Sequence, residues 1–501
     1  MYPIDFFFRA AEQYPERVAL DAPEGQVTYA RLATDVRALA AALQDLDPAP
    51  QTRVALCAGN TSRHILALLA VLASGKIWVP LNTRSTAREI GRILDATEPS
   101  IVMVDGAGDA LVAAGAPHRV SLSADAAGVT FETLLQRGAG REPLRHALPR
   151  DATQAIKFTG GTTGLPKGVM QPYHAWNAAI INQIHSWGLT HEDRYVIAAP
   201  VTHGTGTYLL PVLARGGAHV LLDSATPAAI TAAFRERGGT LSFMPPTLIY
   251  MIMAQPGVSR ADFPKLRNLI YGGAPMPPEK IERARAFFGP VLGTTYGQTE
   301  APQIVTVLRP ADLESPDNRA SVGRVTWLSD VAIMDPAGAL LPRGAIGEVV
   351  VRGDLVMSGY WRLPEKTAET IVDGWLHTGD TGLIDERGYL FLKDRLRDVI
   401  ITGGFNVYPV DVENALSSHP AVYECSVFGL PDEKWGEAVH AAVQLHPGVA
   451  ADADALKAHV RALLGPVATP KQIHLHASLP RSPVGKVLKN AVRDAALKES
   501  P

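Results

Sequence analysis

Apolar and polar positions follow two patterns along the chain, one with helical spacing and one of short continuous apolar runs. Residues 31–44 carry apolar side chains at helical spacing, which predicts an amphipathic helix. Residues 65–73 are all apolar and predict a buried helix, and the apolar run 77–81 predicts the strand after it. The first of these runs is far shorter than the roughly 20 residues that span a bilayer, so no transmembrane segment is expected.

The centre of the chain repeats one arrangement, in which a short apolar strand is followed by a loop rich in Gly, Pro or Thr. The strands are predicted within residues 195–199, 219–223, 240–244, 268–272 and 291–297. Short apolar runs of this kind are typical of a mostly parallel sheet covered by helices. Ligands of such sheets bind outside the carboxyl ends of the strands, where these loops lie. We therefore predict an α/β fold with its binding site at this edge.

The pattern changes after about residue 320. Strand-like segments at 330–335, 347–353 and 388–394 are separated by Gly and Pro turns. From residue 406 onward a smaller α+β pattern follows, with a helix predicted at 453–464. The charged stretch 394–400 lies between two apolar strands and predicts a domain boundary.

Composition narrows the class of protein. Of 501 residues, 47% are hydrophobic and 19% are charged, which predicts large cores and argues against a disordered chain. The net charge of −3, with no run of like charges, offers no electrostatic footprint for nucleic acid or an anionic membrane. Cys57 and Cys425 are the only cysteines, which predicts neither a disulfide framework nor a thiolate zinc site and fits a reducing cytoplasm. The N-terminal segment contains Asp5 and lacks a long apolar run, so it does not resemble a signal peptide.

Residues 159–168, TGGTTGLPKG, contain the sharpest chemical signal. Four glycines, three threonines and one lysine form a loop whose backbone N–H groups, hydroxyls and ammonium can surround an anion, and phosphate is the natural ligand. The segment is not a Walker A loop, because Pro166 precedes Lys167 and Gly168 replaces the Mg²⁺-binding hydroxyl. The alternative is a flexible surface loop, which this density of phosphate-compatible groups disfavours.

Two further turns carry nucleotide-compatible groups. Residues 296–300, YGQTE, place an aromatic ring, a glycine, a hydroxyl and a carboxylate at one strand end, where they could stack a base and hold Mg²⁺. Asp380 in the Thr-Gly-Asp segment could accept hydrogen bonds from a ribose diol. In isolation, the first turn is equally compatible with a structural role and the second with an ordinary Asx turn.

Two single residues complete the set of candidates. His203, in PVTHGTG, is by itself more typical of a structural histidine than of a catalytic one, but Gly204 and Gly206 leave room for a ligand. Lys486 follows Pro483 and Gly485 in a stiff C-terminal loop that presents its ammonium group. Without further context, an exposed surface lysine is an equally good interpretation.

Together these segments resemble the adenylate-forming superfamily of acyl-CoA synthetases, firefly luciferase and peptide-synthetase adenylation domains, over nearly the whole chain. The segments that carry the resemblance are the phosphate loop 159–168, the acid-pocket segment 200–204, the adenine and Mg²⁺ segments 271–275 and 296–300, the ribose segment 374–380, the hinge and thioester segment 393–413, and the lysine loop 480–486.

The resemblance implies a layered αβα N-terminal body with a β-barrel-like subdomain over 1–394, and a small mobile α+β domain over 395–501 with a hinge near 394–398. It implies ATP, Mg²⁺ and CoA as cofactors. The residues it assigns to ATP and CoA are Thr159, Gly160, Gly161, Thr162, Thr163, Gly164, Lys167, Gly272, Gly273, Ala274, Tyr296, Gly297, Asp380, Arg395, Gly403, Gly404 and Trp435. It assigns catalysis to Lys486, Thr299, Glu300 and His203, the metal to Glu300 and the hinge to Arg397.

The resemblance also implies a pocket for the acid and a choice among activities. Its candidate residues are Trp176, His203, Thr205, Thr207, Tyr208, Gly273, Gly297 and Pro302, a mixture that suits a fatty or an aromatic acid. The expected activity is an AMP-forming carboxylic acid:CoA ligase acting on a small-molecule acid, with no nucleic-acid partner and with a homodimer allowed. The alternatives are an acyl-AMP ligase that loads a carrier protein, and a nucleotide-binding protein without ligase chemistry. Amino-acid activation is disfavoured, because His203 stands where those enzymes place an Asp.

Two positions depart from the family pattern. Gly160 replaces the more common Ser, which removes a hydroxyl but leaves the backbone donors. Arg397 is a larger cation than the usual hinge residue, which leaves the balance between the two domain orientations open.

Overall fold

The computed structural model describes residues 1–113, 117–159, 167–432, 434–481 and 487–499, apart from the side chains of residues 397, 498 and 499. It contains two large sheets covered by helices, a smaller antiparallel sheet, and a C-terminal α+β unit. The α/β fold class predicted from the sequence is confirmed.

The first large sheet is formed by sequence-distant strands, and its central strands run parallel. In spatial order, the strands of its described part are Arg324–Val325, Thr306–Leu308, Leu292–Tyr296, Asn268–Tyr271, Leu241–Met244, Arg194–Val196, Ala218–Val220, Val18–Ala22 and Gly25–Thr28. The five predicted central strands all lie here, so the loops after them share one edge of the sheet.

The second large sheet contains the strands that flank the predicted phosphate loop. Its order over the described residues is Gly359–Tyr360, Lys167–Pro172, Thr153–Thr159, Ile77–Leu81, Arg53–Cys57, Ile101–Val104, His118–Ser121 and Val129–Thr130. The predicted strand at 77–81 matches the observed one residue for residue.

Two smaller sheets follow. The segment expected to be β-barrel-like is an antiparallel sheet of the strands Ser329–Met334, Gly347–Gly353, Trp375–Ile384 and Ile371–Val372, with Leu390–Arg395 also paired to the third of these. The C-terminal sheet has the order Phe405–Val407, Ile400–Thr402, Gly436–Leu445 and Val422–Asp432, with Gln472–His476 paired to the third.

Helices cover the sheets. The α-helices of the described residues are Pro3–Gln13, Tyr29–Leu46, Ser62–Ala73, Ala87–Thr97, Gly106–Asp109, Phe131–Gly138, Tyr173–Trp187, Leu209–Ala214, Pro227–Glu236, Pro246–Met253, Pro278–Phe288, Pro364–Thr370, Pro409–Ser417, Ala453–Ala468 and Lys489–Glu499. Short 3₁₀ turns lie at Gly204–Tyr208, Arg260–Asp262, Asp312–Glu314, Pro316–Asn318 and Leu396–Asp398. Within these ranges no helix is both long and apolar enough to cross a membrane.

The hydrophobic cores follow the same division. One large cluster, which includes Leu69 and Tyr208, lies between the two large sheets. Ile400, Val443 and Val460 belong to a separate cluster whose described members all come from residue 400 onward. This separation is consistent with a C-terminal domain, and the boundary at 394–398 and the mobility of that domain stay predictions.

Candidate active site

The predicted phosphate loop connects two antiparallel strands. Thr159 ends the strand Thr153–Thr159 and is paired in register with Lys167, which begins the strand Lys167–Pro172. Gly160, Gly161, Thr162, Thr163 and Gly164 lie outside the described residues. The strands therefore place Thr159 and Lys167 on either side of the base of a hairpin loop, where both can approach the same ligand.

Tyr360 connects this hairpin to Glu300. The Nζ atom of Lys167 lies 4.6 Å from the centre of the Tyr360 ring, and the Tyr360 hydroxyl donates a hydrogen bond of 2.8 Å to Oε1 of Glu300. Burial and the adjacent Glu300 both raise the pKa of Tyr360, so the hydroxyl stays protonated as a donor. Tyr360 reaches this position because the strand Gly359–Tyr360 pairs with the second hairpin strand.

Asp380 contacts three side chains in the predicted nucleotide site. Its Oδ2 atom accepts hydrogen bonds of 2.6 Å from both the Tyr296 hydroxyl and the Gln298 amide. Its Oδ1 atom lies 2.7 Å from Nε of Arg395, which is its partner in register on the neighbouring strand. Asp380 is only 7% exposed, so these partners offset the cost of burying its charge.

Tyr296 therefore has a contact that the sequence did not predict. We expected it to hold adenine, and the structure shows its ring 8% exposed, with the hydroxyl bonded to Asp380. Burial raises the pKa of Tyr296 far above its ordinary value, with Asp380 adding to the shift. The hydroxyl is thus a fixed donor that links the end of the strand Leu292–Tyr296 to the predicted ribose carboxylate.

Glycines at two strand ends allow the backbone to pack closely against neighbouring residues. A Cβ on Gly272 would lie 2.6 Å from the Phe243 ring, and one on Gly297 would lie 2.6 Å from the backbone of Gln303. Gly273 is exposed and has φ of +80°, a conformation that favours glycine. Together with Ala274, these residues form the two adjacent turns that the sequence assigned to adenine.

A narrow cavity lies beside these turns, where the acid was expected to bind. Leucines of the helix Ser62–Ala73, aliphatic residues of the helices Tyr173–Trp187 and Leu209–Ala214, and Gly206 form most of its wall. Its volume is about 20 Å³, measured as space open to the centre of a water-sized sphere, so side chains must move to admit an acyl group. Trp176, Thr207 and Pro302, three of the predicted pocket residues, line this cavity.

The other predicted pocket residues lie around the cavity without lining it. Tyr208 is fully buried, with its ring stacked between Tyr195 and Phe243 at centroid distances of 5.5 Å each. Thr205 is 1% exposed, and its hydroxyl oxygen has no hydrogen-bond partner among the described residues. Gly273 and Gly297 belong to the adenine turns.

His203 is the residue directly before the 3₁₀ turn Gly204–Tyr208, and part of its surface is exposed while the surrounding protein shields the rest. Its Nδ1 atom lies 2.8 Å from the Thr202 hydroxyl. Desolvation, with a contribution from Lys157, lowers the pKa of His203 to about 4. The imidazole is therefore neutral at neutral pH and can exchange hydrogen bonds with a ligand without adding charge.

Two residues that the sequence analysis did not select connect the site. Gln171 is 2% exposed; its amide donates to the Thr299 carbonyl at 2.8 Å, and its Oε1 accepts from the Trp176 indole at 3.2 Å. It therefore ties the predicted catalytic turn to the wall of the acid cavity. Lys157 lines the same cavity from the first hairpin strand. In both cases the sequence signal that could have identified the residue is a polar side chain inside an otherwise apolar strand.

The C-terminal candidates meet at one turn. Gly403 and Gly404, with φ of +58° and +82°, connect the strands Ile400–Thr402 and Phe405–Val407, and the Gly403 N–H donates to the Trp435 carbonyl at 2.8 Å. Trp435 is 38% exposed, and the Nζ atoms of Lys434 and Lys471 lie 4.8 Å and 5.0 Å from its ring centre. This turn therefore combines open backbone, an exposed aromatic ring and two cations.

Besides the glycines and threonines of the phosphate loop, two more predicted residues cannot be placed. Lys486 lies outside the described residues, directly before Val487, which forms an isolated bridge with Arg481. The backbone of Arg397 belongs to the turn Leu396–Asp398, but its side chain is not described. Their catalytic and hinge roles stay predictions.

Contacts through Tyr360 and Gln298 link Lys167, Glu300 and Asp380 in the folded chain, as expected of an enzyme that binds a nucleotide. Two family models match the chain, AMP-binding enzyme over residues 7–361 and AMP-binding enzyme C-terminal domain over residues 411–486. The chain belongs to this family of AMP-binding enzymes, which confirms the resemblance seen in its motifs.

Similar proteins agree with this assignment along almost the full length. The chain is 35% identical to a feruloyl-CoA synthase from Amycolatopsis sp and 33% identical to the fatty acid–[acyl-carrier-protein] ligase ScoC from Streptomyces coeruleorubidus; the matches cover 97% of this chain and 97% and 94% of those proteins. It is 34% identical to the solved amide bond synthetase McbA from Marinactinospora thermotolerans, with a TM-score of 0.91 over 99% of this chain and 100% of that one. The predicted enzyme class, a ligase of the acyl-CoA synthetase type, is confirmed.

Proposed function

We propose that this chain joins a carboxylic acid to CoA in two steps, through an acyl-AMP intermediate, with release of pyrophosphate and AMP. The observation that carries the proposal is the convergence on Asp380. Tyr296 and Gln298 from one sequence segment and Arg395 from a distant one meet at this one carboxylate, next to the turn that holds Glu300. A buried, oriented carboxylate beside an anion-binding hairpin fits a ribose and its phosphates.

In the first step, a carboxylate oxygen of the acid attacks the α-phosphorus of ATP, and the bond to pyrophosphate breaks. Asp380 and Arg395 would position the ribose, and Thr159 and Lys167 would flank the departing phosphates. Gly273, where a Cβ would meet nothing within 4 Å, would let the adenine approach the backbone. Lys486 would neutralise charge that builds up between the carboxylate and the phosphate.

Glu300 fits a role in holding Mg²⁺. Over the described residues, no group of three or more His, Cys, Asp or Glu side chains could hold a metal ion. Mg²⁺ needs only one or two carboxylates when substrate phosphates supply the other ligands, and Glu300 has one oxygen oriented by Tyr360. When bound, the ion would neutralise charge on the phosphates. Tyr360 would keep the Glu300 carboxylate in the orientation that binding requires.

In the second step, the thiol of CoA attacks the acyl carbonyl carbon, its proton passes to solvent, and AMP leaves with the bonding electrons. We assign CoA to the turn of Gly403, Gly404 and Trp435. Lys434 and Lys471 suit the phosphates of the nucleotide part of CoA, because both ammonium groups flank the exposed ring. Use of this turn during the second step requires the C-terminal domain to rotate, as the resemblance implies.

The acceptor is the point at which the similar proteins differ. Their names specify CoA, an acyl carrier protein and an amide bond. The two lysines beside Trp435 favour CoA, since pantetheine alone lacks the phosphates they would contact. We expect CoA to exceed pantetheine as acceptor, and Lys434→Met with Lys471→Met to remove most of that difference. Equal use of CoA and pantetheine by the unaltered protein would favour a carrier-protein or amine acceptor.

The acid is proposed to be fatty or aromatic. One similar protein is named for feruloyl-CoA and another for a fatty acid. Trp176 and the aliphatic wall of the cavity accommodate either class. A cytoplasmic location and a homodimer also stay proposals; Cys57 and Cys425 are both free, which suits a reducing compartment.

Lys486→Ala separates the two steps experimentally. We expect it to abolish acid-dependent pyrophosphate release while leaving thioester formation from pre-made acyl-AMP intact, because the lysine serves only the first step. Equal loss of both half-reactions would contradict its assignment. An unaltered protein that releases no pyrophosphate with any acid would contradict the proposed function itself.

A further inference from the structure

The acid cavity contains a lysine that has no polar partner among the described residues. Lys157 is 8% exposed and lines the cavity, and its Nζ atom lies 5.1 Å and 5.5 Å from the ring centres of Trp78 and Trp176. Its ammonium group has cation–π contacts with these two rings, and no hydrogen bond or ion pair joins it to another described residue. The feature is unusual, because burying an ammonium group away from water is costly unless it is paired.

A second buried lysine, Lys76, shows which contacts this fold provides for a buried ammonium group that has a structural role. Lys76 is 1% exposed, and its Nζ atom donates to the carbonyls of Asp47 and Ala49 at 2.6 Å and 3.1 Å and to the Thr52 hydroxyl at 2.9 Å. The Asp47 carboxylate lies 3.8 Å away. Over the described residues Lys157 has no counterpart to these contacts, and the rings of Trp78 and Trp176 are the partners that it has there.

The polar groups next to Lys157 indicate which kind of ligand would bind there. The indole N–H of Trp78 is also buried without a hydrogen-bond partner, in the ring that Lys157 contacts. The remaining wall is mostly aliphatic. The polar side chains of the lining, Gln171 and Thr207, already have hydrogen-bond partners. Two donors without acceptors among the described residues therefore indicate a ligand that supplies an acceptor, and a cation favours an oxygen with negative charge.

The position of Lys157 decides which end of the acid it meets. It lies two residues before Thr159 on the same strand, about 7 Å deeper into the body than the phosphate hairpin at the usual strand rise. Leu68 and Leu72 line the same cavity from the covering helix. The reacting carboxyl must lie near the phosphates, so the lysine faces the tail of the bound acid.

We propose that Lys157 is a specificity-determining residue that binds an oxygen acceptor, a second carboxylate or a phenolic oxygen, on the tail of the acid. The inference rests on the proposed function and refines its substrate class. The substrate is then an acid with a polar oxygen at the end away from the reacting carboxyl, not a plain fatty acid. Plain acids would leave the ammonium group buried and unpaired.

The protonation of the lysine agrees with this role. Desolvation alone lowers the pKa of Lys157 to about 8, so most of the side chain is protonated at pH 7. His203 is the titratable group electrostatically coupled to it, and it is neutral at that pH. An anionic tail oxygen would favour the protonated form, and binding of such an acid is expected to take up protons from buffer near pH 8.5.

Binding of matched acids to the full-length protein tests the proposal. Calorimetry with a non-reacting ATP analogue compares adipate with hexanoate, and para-coumarate with cinnamate. The unaltered protein should bind the acceptor-bearing member of a pair about 10- to 150-fold more tightly, the range of a hydrogen bond to a charged group. Lys157→Met should remove this preference while keeping the affinity for the plain acid, and Lys157→Arg should keep part of it.

A matched control and a second readout make the outcomes distinct. Lys280→Met removes a lysine that is also 8% exposed and lies near the Tyr250 ring, on the helix Pro278–Phe288, and should leave both preferences unchanged. Lys157→Gln gives a neutral polar replacement if the Met variant fails to fold. Equal weakening of both members of a pair, or no preference in the unaltered protein, would overturn the proposal. Pyrophosphate release measures the ligase reaction separately, so a loss of that activity alone would reject the proposed function and leave the binding result standing.

Discussion

Asp380 and Arg395 face each other across two paired strands, with 2.7 Å between Oδ1 of the carboxylate and Nε of the guanidinium. Arg395 is the last residue of its strand, directly before the turn Leu396–Asp398, where the hinge is predicted. The same ion pair thus connects the proposed ribose site to the start of the C-terminal region. A change in domain orientation would act on the nucleotide site through this contact.

Loss of the negative charge of Asp380 should weaken the binding of ATP. Asp380→Asn keeps the shape but places an amide where Tyr296, Gln298 and Arg395 donate, so one donor loses its acceptor. We expect KM for ATP to rise about 10- to 150-fold, since hydrogen bonds to charged groups contribute about 1.5–3 kcal/mol. Steady-state kinetics of pyrophosphate release measures this. Asp330→Asn, which alters an exposed ion pair with Arg352 on the same sheet, is the control and should leave KM unchanged.

The hydrogen bond from Tyr360 to Glu300 should lower the Mg²⁺ concentration that the enzyme needs. Tyr360→Phe removes the hydroxyl that donates to Glu300 but keeps the ring beside Lys167. We expect the Mg²⁺ concentration for half-maximal activity to rise about 10-fold, at the low end of the usual effect of such supporting contacts, with little change in thermal stability. Tyr389→Phe removes a hydroxyl bonded to Asp312 and should not change the Mg²⁺ requirement. A shift of the same size in both variants would contradict the role of Tyr360.

The third prediction is a pH dependence of stability. His219 is fully buried, with its Nε2–H donating to the Leu209 carbonyl at 3.0 Å, and desolvation lowers its pKa to about 4. Between pH 6.5 and 4 the unfolded chain binds a proton that the folded chain does not, so stability falls as pH falls through this window. The slope is at most about 1.4 kcal/mol per pH unit for this residue.

His219→Gln should flatten that slope by up to one proton, as measured by urea unfolding at pH 7 and pH 5. The exposed His191 provides the comparison. If His191→Gln flattened the slope equally, burial of His219 would not be the cause.

The fourth prediction concerns the junction between the two regions. Lys489 lies 3.8 Å from the Asp394 carboxylate and 3.5 Å from that of Glu413, and burial raises the pKa of Asp394 to about 6. Lys489→Met would leave two carboxylates facing each other, which should loosen the junction. We expect limited proteolysis within residues 395–399 to become several-fold faster. Adding Glu413→Gln should restore resistance, and failure of this rescue would count against an electrostatic cause.

Much of the fold could be predicted from local patterns. The helix predicted at 453–464 ends where the backbone leaves the helix, at Gly465 with φ of +78°, followed by Pro466. The predicted central strands were found because buried parallel strands are short and apolar, and the ends of two of them carry the adenine and Mg²⁺ candidates. These are properties of residues that are close together in the sequence.

The contacts between distant segments could not be predicted in the same way. Tyr360 meets Glu300 because a two-residue strand pairs with the hairpin, and such a strand has no signal of its own. Lys157 looks like a single polar residue in an apolar strand, and only the packing of Trp78 and Trp176 around it shows that it is buried and unpaired. Both depend on three-dimensional packing rather than on periodicity.

The proposed function depends on activation of the acid by attack of its carboxylate on the α-phosphorus of ATP. An acid labelled with ¹⁸O in its carboxyl group tests this directly, with AMP, pyrophosphate and the thioester analysed by mass spectrometry after turnover with CoA. We expect one ¹⁸O atom in each AMP and none in pyrophosphate. Unlabelled AMP, or label in inorganic phosphate released together with ADP, would contradict it.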